Sequence, residues 1–302
     1  MKNILPLICI FSYFFSSGQA CSEIYLFDMK FDNGQVILSN GINITHHTGY
    51  DNQPFFHPSR PIVYYASFND SGRSDIKYYN YETNETKNLT ETREREYSPT
   101  VTPDNKFISC IIQRDNGAQD LAKFPIDGGK PETLVWHLKV GYHAWIGMNK
   151  VFLYVLDDSI HNSLHNYDVT TNMDTVIAEN IGRSLHQIPM EQSLSYVQKL
   201  PNNQNVIKRF VLATGVSSPI IRTLPGQDFF CWVQQSSDAG PKRILLSSDG
   251  SRIFSYEDNA FIEFKDKSWQ AVPIEGNAAM LKTVTRMAAN SENTKLAVVV
   301  SE

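Results

Sequence analysis

Two stretches of this 302-residue chain superimpose without a gap, Asp51 to Ala66 on Glu96 to Ile111. Pro54 answers Pro99 and Pro58 answers Pro103, each pair 45 residues apart. The second half of the unit repeats at the same distance, with Gly72 to Ile76 answered by Gly117 to Leu121. Fainter copies follow in phase: Tyr142 to Trp145 with Asn149 to Leu153, then Leu185 to Ile188 with Ser193 to Val197. A longer fifth unit runs from Phe229 to Val233 through Arg243 to Leu246 and Arg252 to Tyr256. A period of roughly 40 to 50 residues carrying four short strands is the signature of a β-propeller, each unit forming one blade.

The last unit, Thr285 to Ala288 with Lys295 to Val300, supplies only two strands. Its missing half lies at the other end, where Ser22 to Asp28 imitates Ser74 to Asn80 and Asn33-Gly34 turns into an outer strand. The expectation is an all-β, six-bladed propeller over residues 21–302, closed by pairing N-terminal with C-terminal strands in one blade. That blade is built from Cys21 to Thr45 plus Thr283 to Glu302. An open solenoid would instead need polar capping repeats at both ends.

The quoted units resemble a known family. Asn52 to Pro58, Asp75-Ile76, Asn88 to Thr90, Tyr97 to Pro99 and Thr102 to Ile108 look like the WD40-like repeats of TolB-type periplasmic propellers of bacteria. The resemblance implies a propeller fold and an exported protein. TolB itself has an additional amino-terminal α/β domain, for which this chain leaves no room, so a role in the Tol system does not carry over.

Residues 1–20 fit export. Lys2 precedes the apolar run Ile4 to Phe15 and the small, polar Ser16 to Ala20, the pattern of a secretory signal peptide. The run is shorter than the roughly 20 residues of a membrane span, and no later segment supplies one, so no transmembrane segment is expected. Cys21 stands where a bacterial lipoprotein is acylated, although Gly18-Gln19-Ala20 departs from the usual lipobox. Lipid anchoring through Cys21 and simple cleavage to a soluble protein of the periplasm or cell surface are both readings. A net charge of −5 with mixed signs offers no field for nucleic acid. Cys110 and Cys231 lie in apolar runs and read as buried thiols.

No Gly-x-Ser-x-Gly, His-Glu-x-x-His, Walker or paired Cys-x-x-Cys motif occurs. Position within the repeat is more informative. Gln53, Ser98, His143, His186, Cys231 and Arg286 occupy equivalent places near the start of each innermost strand and are expected to face one another across the axial channel. The candidate ligand-binding set is Gln53, Tyr97, Tyr142, His143, Arg183, His186, Trp232 and Arg286. His143 and His186 are the candidate metal ligands, a reading sharpened by the similarity to oligogalacturonide lyases, propellers that use axial His and Gln for a metal. Against it stands the plain reading of a water-filled polar channel. His46-His47 are neighbours whose side chains diverge in a strand, and His161 and His165 are expected in a blade-edge loop. The function expected is a monomeric, non-enzymatic scaffold for a protein or glycan partner, without a cofactor. The alternative is an axial ligand-binding protein or a lyase of the oligogalacturonide type that depends on a divalent metal.

Overall fold

A computed structural model describes residues 21–157, 161–237, 240–259, 262–276 and 280–301. The signal-peptide reading of residues 1–20, part of the loop after Asp157, and Glu302 at the end of the closing blade lie outside the described residues. Among the described residues the chain forms strands β1 to β24, arranged as six four-stranded antiparallel sheets.

The first blade is β3 (Asp51–Phe56), β4 (Ile62–Phe68), β5 (Ser74–Asn80) and β6 (Glu85–Asn88). The second is β7 (Arg95–Val101), β8 (Phe107–Gln113), β9 (Gln119–Pro125) and β10 (Glu132–Val135). The third is β11 (Val140–Ile146), β12 (Lys150–Leu156), β13 (Asn162–Asp168) and β14 (Asp174–Glu179). The fourth is β15 (Ile181–Gln187), β16 (Ser193–Gln198), β17 (Val206–Val211) and β18 (Val216–Arg222). The fifth is β19 (Phe230–Gln235), β20 (Lys242–Ser248), β21 (Ile253–Glu257) and β22 (Gln270–Ala271).

The sixth blade closes the ring as the two half-units imply. β23 (Val284–Ala289) and β24 (Lys295–Ser301) pair with β1 (Ser22–Asp32) and β2 (Gln35–Asn43) in the order β2-β1-β24-β23. The register sets Ser22 against Ser301 and Asp28 against Lys295. The β1–β2 turn is the Asn33-Gly34 step, both residues at positive φ (49° and 82°), the geometry for which Asn-Gly is suited.

The sheets are held as a ring because each is buried on both faces. Leu296 to Val299 of β24 are all wholly buried, and successive residues feed different cores. Leu296 and Val298 pack with Cys231, Val233 and Leu246 of the fifth blade. Ala297 and Val299 pack with Val63, Tyr65 and Tyr79 of the first. The remaining hydrophobic clusters each join one blade to the next around the ring. This double burial explains why the second strands read as near-continuous apolar runs. At roughly 1.5–3 kcal/mol for each large apolar side chain buried, the interblade faces carry most of the stabilisation.

His165 differs from the expectation of an edge loop. It is buried in β13, where Ser163 Oγ and the Asp174 carboxylate hold its ring at 2.9 and 2.8 Å. Neighbouring Leu164 and Tyr167 feed interblade cores, and that burial outweighs the local turn signals. Cys110 and Cys231 are buried as their surroundings imply.

Candidate axial site

The innermost strands β3, β7, β11, β15, β19 and β23 surround a cavity of about 730 Å³ on the ring axis. Its wall runs along these strands and over the hairpins that follow them, taking in Pro58, Pro103, Gly147, Pro189 and Asn290. Antiparallel pairing puts the opposite turns, such as Asn69 to Arg73 between β4 and β5, at the other end of the blades. Seven of the eight sequence-predicted residues line the cavity: Gln53, Tyr142, His143, Arg183, His186, Trp232 and Arg286. Tyr97 does not; its ring packs against the cores on both sides of the second blade.

Several of these side chains lock blades together. Gln53 Oε1 accepts the backbone N–H of Ser98 at 2.6 Å, tying β3 to β7. Both residues hold positive φ, 60° and 55°, at bulges where pairing slips between Asn52 and Phe55 and between Tyr97 and Thr100. Trp145 Nε1 donates to Ser109 Oγ at 2.9 Å across the second and third blades. Trp232 Nε1 donates to Ser195 Oγ at 2.8 Å across the fourth and fifth.

Each histidine engages its Nε2, while Nδ1 of His143 is buried without a hydrogen-bond partner among the described residues. His143 is buried with Nε2 2.7 Å from Ser109 Oγ, and burial alone presses its pKa down to about 3. His186 Nε2 lies 2.9 Å from Ser184 Oγ, and its pKa falls to about 4, chiefly through burial. Both rings are therefore neutral around pH 7. Among the described residues no three His, Cys, Asp or Glu side chains converge as a metal site, and no Asp or Glu lines the cavity. Two imidazoles line the cavity among the described residues, fewer than the three protein ligands of a catalytic zinc site.

The charged part of the site is elsewhere. Arg286 Nη2 donates to Tyr142 Oη at 2.9 Å, a contact from the closing blade to the third, its diametric opposite in a ring of six. The axis is thus spanned at the level where the innermost strands begin. The Arg286 guanidinium also lies 4.2 Å from the Phe229 ring centroid, and Arg183 lies 5.0 Å from the same ring. Burial pushes the Tyr142 phenol up, but the charges and hydrogen bonds of Arg286 and Arg183 outweigh it and hold the phenol below its ordinary value. Beside them, Tyr50 is raised to about 12, mainly by burial.

The sequence matches no family model and no curated protein. Among solved structures it is similar to a protein assigned as TolB from Agrobacterium tumefaciens, with a TM-score of 0.65 and 12% identity over 94% of this chain and 99% of that one. It is also similar to TolB from Acinetobacter baumannii, with a TM-score of 0.55 and 9% identity, covering 92% of this chain and 63% of that one. The fold is that of the TolB propellers. Within this TolB-like ring, Phe229 is a lining residue that repeat phase alone does not single out. Phe229 precedes its strand by one residue, and its signal in the sequence is only an aromatic doublet.

Proposed function

We propose that this chain is an exported, non-enzymatic TolB-like propeller that binds a protein partner at the hairpin end of its axial cavity, in the periplasm or at the cell surface. The observation that carries this reading is the apolar rim of that mouth. Met148 and Met190 sit in the hairpins of adjacent blades, next to the cavity-lining Gly147 and Pro189, and are 60% and 59% exposed. Flexible thioether side chains beside an open, proline-edged cavity suit a protein contact. The leader pattern of residues 1–20 and the likeness to TolB proteins support export. Among the described residues no helix is long and apolar enough to cross a membrane.

The test is a photo-crosslinking residue placed at Met148 or Met190, with controls at the exposed outer-strand residues Val176 and Val216, expressed in the native cell envelope. Adducts with one protein from the rim positions, lost in Met148→Asp with Met190→Asp, are expected. Equal labelling from the outer strands, or adducts only with glycan, would overturn the proposal.

A further inference from the structure

We infer that the end of the axial cavity where the innermost strands begin is a carboxylate-binding site made by Arg183 and Arg286. Among the described lining residues these two are the only ones with a formal charge, and no Asp or Glu joins them. That arrangement stands out in a chain of net charge −5. Arg286 has no carboxylate partner among the described residues, and its hydrogen bond goes to the Tyr142 hydroxyl. Arg183 has only a distant one, Asp228 at 3.9 Å, which also faces Lys199 at 3.6 Å.

Two guanidiniums gathered on one Phe229 ring repel each other in a partly desolvated place. Ring stacking holds their faces and leaves N–H edges for a ligand. A planar carboxylate matches those edges in bidentate fashion and relieves the repulsion. Trp232 and Trp145 have their indole N–H groups committed to serines, so the wall above offers mainly aromatic and aliphatic surface, suited to the uncharged body of a carboxylate-ended molecule. The site stands whether or not a protein docks on the rim.

The experiment is calorimetric titration of the folded protein with four probes: an N-acetylated tetrapeptide with a free carboxyl terminus, the same peptide amidated, glucuronic acid and inorganic phosphate. Binding of the free-carboxyl peptide or of glucuronic acid, at least tenfold tighter than the amide, is expected, and whichever binds identifies the source. Arg183→Gln, a change at an exposed side chain, is expected to weaken it at least tenfold, and Arg286→Gln to abolish it. Equal binding of acid and amide, no binding of either acid, or an unchanged affinity in Arg183→Gln would overturn the inference. Phosphate binding as tightly as the acids would overturn its carboxylate selectivity.

Discussion

Glu96, the second residue of β7, has its side chain wholly withdrawn from solvent. Its oxygens accept hydrogen bonds from the Thr92 and Thr90 hydroxyls. Burial pushes the carboxyl up from an ordinary 4.5 to about 7, with Asp75 adding like charge and the two threonines offsetting part of the rise. The unfolded chain releases this proton near pH 4.5, whereas the folded chain keeps it until near 7. Between those values the native state binds the extra proton, so stability falls as pH rises. At about 1.36 kcal/mol per pH unit for one proton, the loss across the window is about 3 kcal/mol. Glu96→Gln keeps the shape and the threonine contacts but has no charge to bury. Guanidinium unfolding of both proteins between pH 4.5 and 7.5 measures the difference. The wild type should lose about 3 kcal/mol more than the variant over that interval, in the direction of instability at high pH. Parallel stability profiles would refute the claim that this buried carboxyl is held neutral.

Trp232→Phe should cost about 1 kcal/mol in denaturant unfolding, because it deletes one interblade hydrogen bond while Ser195 keeps the His186 carbonyl. Phe152→Ala, at a wholly buried ring between the third and fourth blades, should cost about 3–5 kcal/mol by the same measurement. Arg286→Gln should raise the Tyr142 phenol, visible as a lost low-pH component when tyrosine ionisation is followed by ultraviolet absorbance. Thiol titration of the native protein should leave Cys110 and Cys231 unmodified until denaturant is added, since burial shields both and raises their pKa.

Repeat phase alone carried the architecture. The 45-residue register of Pro54 with Pro99 and the split between Ser22 to Asp28 and Lys295 to Val300 suffice to count six blades and to close the ring, because each blade must bury the same two faces and so repeats the same pattern. The same phase picked out Gln53, Ser98, His143, His186, Cys231 and Arg286, with Tyr142, Arg183 and Trp232 beside them, and all of these line the cavity. What each does there depends on partners far away in the chain. His143 and Trp145 share Ser109, and Arg286 reaches Tyr142, 144 residues distant. Only the tertiary structure turns the histidines into neutral hydrogen-bonding groups and the arginines into the charge of the cavity. Sequence fixes which residues recur on the strand that faces the axis; hydrogen-bond partners and desolvation, which set their chemistry, arise when six distant strands meet.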